Sequence, residues 1–191
     1  MVEPRTVKTL LALLISMTSG ALLLWMMSGD PLPPGEIAAV VVAPQPPVLD
    51  AKLLDTDAPM LPSRWRHIVI HSSPSVESDI ARRCHFVVVE SSNGTAVHAS
   101  ALWKRQAAGL GVAGQPASFN AETISVCLIG DFSKVAPGPE QYKALVALTQ
   151  LLQGAPLNIN HSHVYLRCEL DGSDAPGLAF PVESFTKQLI P

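Results

Sequence analysis

Hydrophobic positions fall into two regimes along this chain. From Thr9 to Met27 they run for nineteen residues without a charge, TLLALLISMTSGALLLWMM. A helix of that length rises about 28 Å, close to the hydrocarbon thickness of a bilayer, and no polar face interrupts it. After Ser63 the apolar residues come in short bursts instead. His67–His71 (HIVIH), Phe86–Glu90 (FVVVE), Thr123–Ile129 (TISVCLI) and His163–Leu166 are apolar and β-branched, the pattern of buried strands. Asn93-Gly94 predicts a hairpin turn into a further strand, Thr95–Ala99. Pro139–Gln153 predicts the clearest helix, with proline in its first turn, Leu145, Leu148, Leu151 and Leu152 along one stripe, and Gly154 ending it. Ser75–Arg83 and Val182–Leu189 predict shorter ones. Strands and helices so interleaved predict an α/β fold, a central mixed sheet with flanking helices, preceded by one N-terminal transmembrane helix.

The charges that flank the long apolar run set its direction. Arg5 and Lys8 precede it, and Asp30 and Glu36 follow. The positive-inside rule therefore keeps residues 1–8 in the cytoplasm, makes residues 9–27 the anchor, and exports the rest. This predicts a single-pass protein of the cytoplasmic membrane whose domain faces the periplasm or cell wall. A cleaved signal peptide is the competing reading, but its apolar core is usually shorter and ends in a small-x-small site, whereas this one runs on through Trp25-Met26-Met27. Eight of the seventeen prolines lie from Pro31 to Pro62, so residues 28–62 read as a semi-rigid linker. Residues 63–191 remain for one domain.

Composition sharpens this in two ways. The mean hydropathy of +0.28 is high for a soluble domain, and the anchor and linker account for most of it. A net charge of −3 excludes a generally basic nucleic-acid binder. The three cysteines, Cys84, Cys127 and Cys168, are too few for a disulfide-stapled miniprotein or a zinc ribbon. Cys84 and Cys168 are a pair that an oxidising compartment could join, and Cys127, mid-strand, reads as a buried inert thiol. Asn93-Gly94-Thr95 matches a glycosylation sequon, although its place in a hairpin turn needs no such explanation.

Three segments carry a resemblance. Ile68-Val69-Ile70-His71-Ser72-Ser73, Cys84-His85-Phe86-Val87-Val88 and Ile124-Ser125-Val126-Cys127-Leu128-Ile129-Gly130-Asp131-Phe132 occur in that order. The helix with Pro139, Gln141 and Leu145 follows them, and Trp103-Lys104-Arg105-Gln106 lies between the second and third. Together they resemble the zinc-dependent N-acetylmuramoyl-L-alanine amidase and peptidoglycan recognition protein family, over roughly residues 66–181. The resemblance implies the family's fold, and peptidoglycan or muropeptide as the partner. It also implies hydrolysis of the amide bond between muramic acid and L-alanine by a zinc-bound water. His85, Trp103, Gln106, Arg167 and Asp174 are the substrate-binding residues carried over or suggested by it.

The metal positions depart from the family's pattern. His71 stands where the first ligand is expected. Val164-Tyr165-Leu166-Arg167 aligns with the segment bearing the second, which places Arg167 at a histidine position. Ser173-Asp174-Ala175-Pro176-Gly177 aligns with the third and places Ala175 at a cysteine or aspartate position. Arginine repels a dication and alanine has no donor atom. Cys84 replaces the tyrosine that precedes His85 in the family, leaving Cys84 and His85 as vestiges of a catalytic pair. The leading expectation is a catalytically dead relative without zinc, in which Arg167 pairs with a carboxylate, from a peptide stem or from Asp174. Two alternatives stay open. One is an active zinc amidase with displaced ligands, drawn from His71, His163 and Asp174. The other is a non-catalytic envelope scaffold. Separately, His71 and His85 also read as hydrogen-bonded core histidines, and His161 and His163 as a solvated loop and a strand start.

Overall fold

The computed structural model describes residues 49 and 51–191 of the chain. The predicted anchor at 9–27, the cytoplasmic residues 1–8 and most of the linker lie outside the described residues. Among the described residues no helix is long and apolar enough to cross a membrane.

Five strands form one mixed sheet: β1 His67–Ser73, β2 Phe86–Ser91, β3 Gly94–Ala99, β4 Thr123–Ile129 and β5 Val164–Leu166, in the order β3-β2-β4-β1-β5. β2 and β3 are an antiparallel hairpin, and all other pairings are parallel. Gly94 adopts the left-handed φ of +108° that the hairpin turn requires. The helices are α1 Asp79–Arg82, α2 Ala101–Lys104, α3 Ala117–Ala121, α4 Pro139–Gln153, α5 Arg167–Asp171 and α6 Val182–Thr186.

Alternation along the strands gives the sheet two unlike faces. Ile68 and Ile70, Ile124, Val126 and Leu128, and Phe86 and Val88 belong to the main core with Leu145, Leu148 and Leu152 of α4. The other face carries Val69, His71 and Ser73 of β1 beside Ser125 and Cys127 of β4. Its apolar patch is small, made of Ala81, Cys84, Leu110 and Cys127. Polar residues buried on one face of a sheet mark where chemistry or structural hydrogen bonding is concentrated.

Several elements are shorter than the pattern of apolar residues predicts. Ser78 caps α1 by accepting the N–H of Ala81, so the helix begins at Asp79 rather than Ser75. α6 ends at Thr186 instead of Leu189. His163 closes a 3-10 turn, His161–His163, and does not join β5. At the front, Leu49, Leu53, Leu54 and Met60 pack against the main core, and the backbone N–H groups of Asp57 and Ala58 both reach the carbonyl of Lys104. The folded body thus takes in residues that proline content alone assigns to the linker. All three cysteines are free, so no disulfide joins Cys84 to Cys168. Cys84 neighbours Cys127 instead, and that thiol, with burial, pushes the Cys84 thiol well above its ordinary pKa.

Candidate ligand site at the ends of β1 and β4

His71 sits fifth in β1, in register with Cys127 of β4, and is fully buried. Neither ring nitrogen has a hydrogen-bond partner. Burial first, and the Arg167 guanidinium second, lower its pKa to about 3, so the imidazole is neutral. Arg167 opens α5 directly after β5, the strand paired with β1, which brings it to His71. Its Nε donates to Asp171 Oδ2 at 2.7 Å. Asp171 Oδ1 in turn accepts the N–H of Ser173 at 3.0 Å. Burial alone would raise the Asp171 carboxyl, but the bonds from Ser173 and Arg167 prevail and hold it at about 2.

Ala175 lies in the same place. Its carbonyl accepts the N–H of Cys168 at 2.8 Å, which fastens the 172–177 loop across the start of α5. The pairing of β5 with β1 thus carries Arg167 to the side of His71, and the bond from Cys168 holds Ala175 at the start of α5. The pairing of Arg167 differs. Asp171 holds it, not Asp174, because α5 places residues four apart on one face. Asp174 is exposed and lines a cavity instead.

That cavity, of about 350 Å³, opens beyond the C-terminal ends of β1 and β4, the usual ligand position on parallel strands. Ser72, Ser73, Asp131, Phe132, Asp174 and Gly177 are among its walls. Gly177 has a φ of +138°, and a Cβ there would collide with the backbone of Phe132, so only glycine lets the loop close against the β4 end.

The alternative ligand set does not assemble. The His163 ring packs against His67, with centroids 5.2 Å apart. His67 precedes His71 by four residues, about 13 Å along the strand. Among the described residues no group of three or more His, Cys, Asp or Glu side chains is placed to hold a metal ion. The residues present do not fit zinc. His71 is one donor, Ala175 supplies none, and the positive charge of Arg167 acts on the imidazole.

Three residues read from the sequence as substrate-binding are interior. His85 is fully buried and uses both ring nitrogens: Nδ1 accepts the N–H of Ser125 at 2.9 Å, and Nε2 donates to the Ala107 carbonyl at 2.9 Å. Trp103 is buried between Phe86 and Trp65. Gln106 Oε1 accepts from Trp65 Nε1 at 2.7 Å, and its Nε2 donates to the Trp103 carbonyl at 2.9 Å. These side chains build the core beneath the site and do not reach the cavity. Cys84, buried beside Cys127, is likewise not placed for proton transfer at a surface. Asp171 and Ser125 escaped the reading of the sequence. The i,i+4 spacing of Arg167 and Asp171 was the available signal for the first; nothing in the sequence marks the second.

His85 makes a pH prediction. Burial lowers its pKa to about 4 from the ordinary 6.5, although the bond to Ala107 opposes this. Between those values the unfolded chain takes up a proton that the folded chain refuses. Stability is therefore complete above pH 6.5 and falls as the pH drops toward 4, by on the order of 3 kcal/mol from this residue. His71 acts in the same direction. Urea unfolding from pH 7 to 4 should show the decline, and His85→Asn should make it shallower, with the share of His71 remaining. An equally steep profile in that variant would contradict the assignment.

A sequence model of the N-acetylmuramoyl-L-alanine amidases matches residues 61–174. The chain belongs to the N-acetylmuramoyl-L-alanine amidase family. Its fold resembles that of the amidase LysC from Clostridium intestinale URNW, with a TM-score of 0.52 and 18% identity over 70% of this chain and 91% of that one. It also resembles the Escherichia coli amidase AmiD, solved with the substrate anhydro-N-acetylmuramic acid-L-Ala-D-γ-Glu-L-Lys. There the TM-score is 0.50 and the identity 18%, over 65% of this chain and 57% of that one. At such identities the likeness is one of fold. A comparison with curated protein sequences finds no match. The amidase match spans β1 to the loop after α5, and so includes His71 and Arg167.

Proposed function

We propose that this chain is a membrane-anchored, exported member of the amidase family that binds peptidoglycan fragments without zinc and without hydrolysing them. One observation carries the reading: Arg167, held by Asp171, directly follows the strand paired with β1, and its positive charge acts on the His71 imidazole. A cation fixed beside the single imidazole opposes a dication electrostatically, and Ala175 contributes no ligand atom. Export rests on the uncharged run 9–27 with Arg5 and Lys8 ahead of it. The cavity beside Ser72 and Asp174, at the strand ends, supports retained binding.

The test is calorimetric. The full chain is titrated with anhydro-N-acetylmuramic acid-L-Ala-D-γ-Glu-L-Lys in the presence of zinc, and the ligand is then examined by mass spectrometry. Binding with the ligand recovered intact is expected. Release of the peptide, abolished by a chelator, would contradict the proposal.

A further inference from the structure

Two of the three thiols meet in the interior. Cys84 and Cys127 are both fully buried, and with Ala81 and Leu110 they form the small apolar patch on the second face of the sheet. The Cys127 sulfur lies within hydrogen-bond reach of the Cys84 thiol. Cys168 packs against the main core instead. The backbones of the pair are fixed beside one another. Cys127 stands opposite Val87 in the ladder of β4 with β2, and the N–H of His85 reaches the Ser125 carbonyl at 2.8 Å. On the other side, the N–H of Cys84 closes the end of α1 on the Ala81 carbonyl at 3.2 Å, and the Arg83 carbonyl accepts the N–H of Leu110 at 2.6 Å. A disulfide needs two sulfurs in contact on close backbones, and these bonds hold Cys84 and Cys127 in that arrangement.

We infer that Cys84 and Cys127 are a disulfide-forming pair, closed by thiol–disulfide exchange while the chain folds, with Cys168 left as the free thiol. The exchange balances in two steps. One cysteine, as its thiolate, attacks the disulfide of a redox partner, forms a mixed disulfide and releases one partner thiol. The second cysteine then attacks the mixed disulfide, closes the Cys84–Cys127 bond and releases the other partner thiol. Two protons and two electrons pass from the cysteines to the partner. Burial sets the timing. In the folded chain the neighbouring thiol and burial keep Cys84 protonated, and neither sulfur reaches solvent, so the exchange precedes closure of the patch. The bond ties the lead into β2 to the middle of β4 and closes a long loop in the unfolded chain, which favours the fold. The oxidising setting rests on the export reading given under the proposed function.

The experiment counts thiols on the full chain in two preparations. Protein purified from expressing cells is denatured in an alkylating reagent without reductant. One alkylated cysteine per chain, Cys168, is expected, with a peptide pair holding Cys84 and Cys127 joined and lighter by two hydrogens. Separately, the reduced chain is refolded in a mixture of oxidised and reduced glutathione. The same bond should form, persist in Cys168→Ser, and be absent from Cys84→Ser and from Cys127→Ser. The oxidised chain should unfold at a higher urea concentration than the reduced chain. A bond that forms on refolding but is absent from the cellular protein leaves the pair standing and sinks the export reading. Three alkylated cysteines in both preparations, or a bond to Cys168, would overturn the pair. So would an oxidised chain less stable in urea than the reduced one.

Discussion

Under the proposed zinc-less reading, changing Arg167 to His and Ala175 to Asp in one chain is expected to create a zinc site. The two positions already converge on His71, through the pairing of β5 with β1 and the bond from Cys168 to the Ala175 carbonyl. The double change removes the repelling guanidinium and adds two donors, giving the three protein ligands that a catalytic zinc uses. Zinc affinity should rise on the order of a thousandfold or more over the unaltered chain, because a lone imidazole holds zinc weakly. Either change alone should give much less, since two donors do not close the site, and the gain should be strongly non-additive. Chelator competition measures it. If the double variant binds zinc no better than the unaltered chain, the alignment of 167 and 175 with metal positions is wrong.

Trp103→Ala is expected to cost about 3–5 kcal/mol of folding stability, the range for removing a large buried aromatic side chain. That is a large fraction of the 5–15 kcal/mol typical of a whole domain. Trp103 is fully buried, with ring centroids 4.8 Å from Phe86 and 5.8 Å from Trp65. Its loss also removes the aromatic neighbour of Trp65, the side chain that donates to Gln106. Chemical denaturation should show the loss, while muropeptide affinity, measured where the variant is still folded, should stay within about twofold. A variant of ordinary stability that no longer binds ligand would return Trp103 to the binding surface.

The two cases mark what the sequence does and does not disclose. β1, β2, β4 and α4 are legible because each is one unbroken apolar run or stripe, long enough for its period to show. The meeting of Arg167 with His71 is legible too, because the resemblance fixes both positions and their strands are neighbours. The partner of Arg167 is not. Val164-Tyr165-Leu166 reads as a strand, and in the residues that follow only the i,i+4 spacing of Arg167 and Asp171 hints at the short helix that pairs them. The role of His85 stays open in the sequence for a related reason. The resemblance suggests a binding role beside the core-histidine alternative, and the two partners that favour the core are backbone groups, which leave no trace in the sequence. Trp103 and Gln106 are drawn inward by Trp65, a residue with no motif of its own. Leu49, Leu53 and Leu54 are hidden by the prolines around them, although their side chains reach the core.

The central proposal is that this amidase-family domain holds no zinc. Its most direct test is the metal content of the purified full chain after exposure to excess zinc at pH 7 and exhaustive buffer exchange. The account predicts far less than one zinc per chain, unchanged by His71→Ala. One equivalent of zinc, retained through exchange and lost in His71→Ala, would contradict it.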